Sequence, residues 1–216
     1  MHSRFDHLVI TAGSLAAGTD WVTKRLGVTP GPGGQHPYMG THNTLLRLGD
    51  DAYLEVLAID PQAAPPDRPR WFALDDAAMT AEPRLAGWVV RVDDIEAVVA
   101  LAPVPPGSIE TMTRGDLTWR LTIPVDGRPP WGGALPILIE WPEGRHPTTT
   151  MTGSGCSLER LDLFHPDVVA LRAFLDRIGL ECPLVVRPGK SGLQAHVQTP
   201  SGTKVMSSGR SVEDQV

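Results

Sequence analysis

The first residue of this chain that needs a chemical reason is a histidine inside an apolar run. In FDHLVITAGSL, residues 5–15, His7 stands among Phe5, Leu8, Val9 and Ile10 before the run breaks at Gly13 and Ser14. Two acids share the same kind of setting, Glu55 in YLEVL and Glu140 in LPILIEW. Strand alternation puts Phe5, His7 and Val9 on one face, Tyr53, Glu55 and Leu57 on one face, and Leu138 with Glu140 on one face. A carboxylate among apolar neighbours is costly unless it is protonated, paired or coordinated. The ordinary structural account is a hydrogen-bonded strand histidine and acids paired with arginine, with Arg47 on the neighbouring strand as partner for Glu55. GGQHPYMGTHN adds His36, His42 and Asn43, where Gly33 and Gly34 permit a tight backbone path. These three could hold a substrate oxygen at a cavity mouth or close turns by hydrogen bonding.

These residues must be positioned by regular elements, and the chain repeats one order of them. A strand at 5–11 leads to a helix over 14–26, with Ser14 as N-cap and Gly27 as C-terminal stop; strands follow near 29–36, 41–48 and 51–59, the last two reading as a hairpin. GWVVRV at 87–92 precedes a helix whose Ile95, Val98, Val99 and Ala102 share a face, and strands are expected at 108–114, 117–124 and 135–141. A third round opens at 156–164, continues with a helix carrying Val168, Leu171, Leu175 and Ile178, and ends in PLVVRP, LQAHVQT and TKVMSS. The same order three times at offsets of roughly 70 to 80 residues predicts tandem βαβββ units. The expected divisions are a first unit at 1–60, a Pro-rich linker at 61–84, a second unit at 85–145 that pairs with the first, a third at 155–208 and a disordered tail at 209–216.

Composition narrows the function. A formal charge of -6, with basic residues scattered among acids, argues against nucleic acid as a partner. No apolar run approaches the roughly 20 residues a membrane helix needs, and no charged-then-apolar leader opens the chain, so a cytoplasmic protein without membrane contact is expected. Cys156 and Cys182 have neither metal-site nor disulfide-scaffold spacing. Trp88, Trp119, Trp131 and Trp141 supply core or an aromatic wall for a flat ligand.

The element order, with DHLVITAGSL, GGQHPYMGTHNTLLRLG and YLEVLAIDP, resembles the vicinal oxygen chelate superfamily, which includes glyoxalase I, extradiol dioxygenases and bleomycin-resistance proteins, and in particular the glyoxalase-like domain proteins. The resemblance implies an α+β fold whose curved mixed sheets enclose a cavity, with a divalent metal held from the first and last strand of each unit. Carried over, the ligands fall on His7, Glu55 and Glu140, and the fourth position falls on or beside Gly87, which has no donor. One imidazole and two carboxylates would suit Fe, Mn, Ni or Zn and leave open positions for a substrate with vicinal oxygens. Lyase, isomerase or dioxygenase chemistry would follow, with Glu55 or Glu140 as general base and His36, His42, Asn43 and Trp88 binding substrate. The alternative is a metal-free protein that binds or sequesters a small molecule. No nucleotide cofactor is expected. An unpaired third unit suggests a homodimer built through it.

Overall fold

A computed structural model describes residues 2–115 and 117–209. The first strand, β1 (Ser3–Thr11), runs into α1 (Leu15–Leu26). Ser14 caps that helix by accepting from the Ala17 amide at 3.2 Å, and Gly27 ends it at φ 73°, a left-handed turn that favours glycine. Strands β2 (Gly31–His36), β3 (Thr41–Arg47) and β4 (Tyr53–Ile59) complete the first unit. A loop region follows, carrying the short helix α2 (Ala77–Thr80), and then the second unit: β5 (Arg84–Val92), α3 (Ile95–Val99), β6 (Ser108–Arg114), β7 (Leu117–Ile123) and β8 (Ile137–Glu140).

Both units lie in one sheet of order β2-β3-β4-β1-β5-β8-β7-β6. Strand β1 pairs parallel with β4, and β5 pairs parallel with β8, so each unit closes first strand against last; β1 and β5 then join antiparallel along their length. The sheet curls as a half-barrel. Its two outer edges are tied by side chains: Arg68 donates to Glu110 at 2.9 Å and to the Tyr38 hydroxyl at 3.2 Å, and Arg114 of β6 lies where a Cβ on Gly34 of β2 would be. The inner face carries Val9, Leu57, Val89, Met112, Trp119, Leu121, Ile137 and Ile139, whereas Leu8, Ile10, Leu54, Val56, Trp88, Val90 and Leu138 point outward.

The remaining strands are β9 (Ser157–Phe164), β10 (Leu180–Glu181), β11 (Leu184–Arg187), β12 (Gly192–Thr199) and β13 (Gly202–Ser207), with α4 (Val168–Arg177) after β9. The third segment keeps the expected element order but not the pairing of the first two. Its sheet runs β11-β9-β12-β13, with first strand β9 in the interior between β11 and β12, and β10 adds to β1 of the large sheet. Leu161, Leu163, Leu193, Ala195 and Val197 of this sheet share one core with Leu8, Ile10, Trp88 and Val90 on the outer face of the large one. The third sheet therefore has its apolar counterpart within the chain, and the reason for expecting a second copy there does not hold. Of the tail expected to be disordered, 210–216 lies outside the described residues. Among the described residues no helix is long and apolar enough to cross a membrane.

Candidate functional site

The site begins with a bulge. Phe5 pairs with Val90 and His7 with Val89, so Asp6 is an extra residue on β1. Strict alternation would put Phe5 beside His7; the bulge instead sends Phe5 to the outer core and turns His7 inward. Asp6, fully buried, spends both carboxylate oxygens on the same region: Oδ1 accepts from His7 Nδ1 at 2.6 Å, and Oδ2 accepts from Trp141 Nε1 at 3.0 Å and from His146 Nε2 at 3.1 Å. Burial opposes the charge on Asp6, but the bonds from His146 and His7 outweigh it and hold the carboxyl well below its usual range. Burial likewise opposes a charged imidazole, yet Asp6 and Glu55 together raise His7 to about 9. His7 is thus an imidazolium at neutral pH, its ring stacked on Tyr53 at 4.4 Å between centroids.

Glu55 faces His7 from the neighbouring strand. Its Oε1 accepts from Asn43 Nδ2 at 2.6 Å, and its Oε2 lies 3.5 Å from His7 Nε2, a charge pair longer than an ordinary N–H···O bond. Burial pushes this carboxyl up, but the charge of His7 and the hydrogen bond from Asn43 bring it below the normal range, so Glu55 is ionised. Asn43 is fixed in turn by the Gly34 amide, which donates to Oδ1 at 2.7 Å, and a Cβ on Gly33 would come within 2.0 Å of that same oxygen. Gly33→Ala is therefore expected to destabilise the fold by about 1–3 kcal/mol, read as a lowered melting temperature. His36 completes this corner: burial drives it down to about 4, so it is neutral, with Nδ1 3.2 Å from the Thr41 hydroxyl.

Around these groups the cavity is walled by Trp71, Phe72, Val89, Trp119, Leu121, Ile139 and Trp141. Trp71 and Phe72 come from the segment expected to be a linker. Phe72 and the next residue, Ala73, hold φ of 54° and 55°, a left-handed backbone that costs non-glycine residues about 1–3 kcal/mol each. That strain seats the Phe72 ring against Gly87, where a Cβ would come within 2.8 Å of it. The free space left inside is about 40 Å³, room for ordered water. Leu45, Arg114 and Pro147 separate it from an outer groove of about 810 Å³ beneath residues 144–154.

The sequence-predicted residues do not all meet. His7, Glu55, His36 and Asn43 line the cavity together. Glu140 does not, because β8 turns Ile137 and Ile139 inward and the face shared by Leu138 and Glu140 outward. There Glu140 accepts from the Ile95 amide at 2.9 Å, at the start of α3, and pairs with Arg120 at 3.1 Å. Trp88 is fully buried in the outer core and donates toward the Ala134 carbonyl at 3.4 Å. His42 alternates away from Asn43 and is only half-buried. The paired registers explain the misplacement: His7 opposite Tyr53 in the first unit corresponds to Val89 opposite Ile137 in the second, which places Glu55 in correspondence with Ile139. The second unit's equivalent positions are Val89 and Ile139, not Gly87 and Glu140, and neither offers a donor.

A divalent ion therefore does not fit the residues present. The cavity supplies two imidazoles, His7 and His36, and one carboxylate, Glu55, but His7 Nδ1 is held by Asp6, Glu55 Oε1 by Asn43, and His36 Nδ1 lies 3.2 Å from the Thr41 hydroxyl, so the three do not turn free donors to one point as a metal site requires. Among the described residues no three His, Cys, Asp or Glu side chains converge as a metal would require. Arg47 is not the partner of Glu55 either, since it donates to the carbonyls of Gly49, Asp50 and Met151. Glu140→Gln is expected to lower stability by about 1 kcal/mol through the helix start it caps, while leaving ligand binding in the cavity unchanged; calorimetry on the variant checks both.

Asp6, Tyr53, Trp71 and His146 were not among the sequence candidates. The acid next to His7 was visible in FDH, but alternation assigns it to the opposite face, and a bulge has no signature in that run.

Residues 5–179 match the family model of the glyoxalase-like domain. No curated protein sequence matches the chain. Among solved structures it is similar to a hypothetical protein from Staphylococcus aureus, with 16% identity, 88% of each chain covered and a TM-score of 0.60. It is also similar to methylmalonyl-CoA epimerase from Mycobacterium tuberculosis, with 19% identity, 64% of this chain and 87% of that chain covered, and a TM-score of 0.42. At these identities the likeness is one of fold.

Proposed function

We propose that this chain, which belongs to the glyoxalase-like domain family, is a small-molecule enzyme that moves a proton at a carbon next to a carbonyl group, as an isomerase or lyase does. The observation that carries this reading is the buried pair of an ionised Glu55 and a protonated His7, 3.5 Å apart and facing one cavity. Glu55 takes the carbon-bound proton, and the electron pair moves to the carbonyl oxygen. His7 Nε2–H faces the developing negative charge, while Asp6 on Nδ1 fixes the ring and keeps it charged. Return of the proton to the carbon skeleton gives an isomer; departure of a β-substituent gives an elimination product. Neither outcome is routed through a metal, because the cavity's donors do not make a site for one.

The test is deuterium wash-in. Protein passed through a chelator is incubated in D2O with dicarbonyls and 2-hydroxy ketones, and proton NMR follows the exchange of hydrogens next to the carbonyl. Catalysed exchange at an unchanged rate after chelation is the expected result. Saturable binding of such compounds without any exchange would overturn it in favour of a binding or sequestering role.

A further inference from the structure

Two polar groups of the cavity lining stand out as exceptions to the pairing that ties Asp6, His7, Glu55 and Asn43 together. The first is Trp71 Nε1. Among the buried side-chain donors and acceptors that have no hydrogen-bond partner in the described residues, it is the one belonging to a cavity wall, and Trp71 is 6% exposed. A buried indole N–H ordinarily finds an acceptor, and leaving one unmade is costly. The segment that brings it there is held in a strained backbone at Phe72 and Ala73, which the fold sustains only by over-determining it: the Ala73 amide donates to the Gly127 carbonyl at 2.9 Å.

The second exception is Arg114. Arg68, Arg91, Arg120, Arg128 and Arg160 each pair with a carboxylate, whereas Arg114 has no carboxylate partner among the described residues. Its guanidinium lies 6.0 Å from the centre of the Trp119 ring, and the residue lines both the inner cavity and the outer groove. Placed there, it is a cation where the cavity that holds Glu55 adjoins the outer groove.

We propose that the ligand of this cavity is a small acidic carbonyl compound, a 2-oxo acid or a close relative, with its anionic group on Arg114 and its carbonyl oxygen accepting from Trp71 Nε1. The carbonyl part rests on the proton-transfer reading above; the anionic part stands on Arg114 alone. The planar fork of an arginine suits a carboxylate, and the donor beside the carbonyl would act with His7 on the same oxygen. A body larger than the inner space extends into the groove.

The experiment is calorimetric titration with two probes that differ only in charge, 2-oxobutanoate and its neutral amide, on the wild type, Arg114→Gln, Arg114→Lys and Trp71→Phe. The wild type is expected to bind the acid about ten- to hundredfold more tightly than the amide. Arg114→Gln should bring the acid down to the level of the amide, and Arg114→Lys should keep part of the preference. Trp71→Phe, which keeps the ring and loses the N–H, should weaken both probes about tenfold with the preference intact. Equal affinity of the wild type for the two probes, an undiminished preference in Arg114→Gln, wild-type affinity in Trp71→Phe, or no binding of either probe would overturn the proposal. A charge preference without deuterium wash-in removes the proton-transfer reading and leaves the anion site. Wash-in without a charge preference does the reverse.

Discussion

Glu55→Gln is expected to slow deuterium wash-in by about 10²- to 10⁴-fold, the range that a positioned general base contributes. The amide keeps the shape and an oxygen for Asn43, which in the wild type donates to Glu55 at 2.6 Å, so the folded state should persist and binding of the probes should change little. The loss would therefore fall on the rate and not on affinity. The wild-type pH profile should carry two limbs. Glu55 must be ionised, and its carboxyl is depressed by His7 and Asn43, so activity falls only below the usual glutamate range. His7 must be protonated, and it stays so until the pH approaches about 9. A variant that exchanges at the wild-type rate would end Glu55's role as base.

Asp6→Ala should have the largest effect on stability. Asp6 is the common acceptor for His7, Trp141 and His146, and its removal leaves a buried imidazolium and two partly buried N–H groups without their partner. Breaking a buried ion pair from one side costs about 3–5 kcal/mol, which for a chain of this size lowers the melting temperature on the order of 10 °C. The pH dependence follows from the directions of the shifts. Asp6 has a folded-state value below its ordinary 3.8, so its contribution is complete above that value and is lost as the pH falls through the folded one. His7 is raised from 6.5 to about 9, so its contribution is complete below 6.5 and is lost as the pH rises through about 9. Wild-type stability should thus be greatest between about pH 4 and 6.5 as far as this cluster decides it. The variant should show a shallower acid limb and an alkaline limb displaced to lower pH, measured by melting from pH 3 to 10. A melting temperature within 2 °C of wild type across that range would show that the cluster does not hold the fold together.

The fold was legible because it rests on signals that repeat. Ser14 and Gly27 bracket the first helix as read from the sequence, the β3–β4 hairpin lies where its turn residues put it, and β1 to β8 lie in one curled mixed sheet. What could not be read was register. Glu140 sits on the face that alternation assigns it with Leu138, but which of the two faces turns inward is settled by pairing with β5 and β7, residues far away in the chain. One extra residue at Asp6 reverses the alternation of β1, and no local pattern marks it. The proline-rich stretch was legible as irregular backbone; that it folds back to place Trp71 and Phe72 over the cavity depends on contacts with Gly87 and Gly127 made only in the assembled sheet. The third segment shows the same limit, since an order of strands and helices does not specify which strands become neighbours.

The correspondence of His7 and Glu55 with Val89 and Ile139 gives the cavity a polarity of its own. A duplicated scaffold could have presented the same groups from both sides and accepted a guest in either direction. Here the wall at His7 and Glu55 is ionic and the wall at Val89 and Ile139 is oil-like, so a lopsided molecule that entered backwards would press its oxygens against valine and isoleucine and forfeit their hydration without compensation. Handedness of binding is thereby written into the difference between two halves that share one topology.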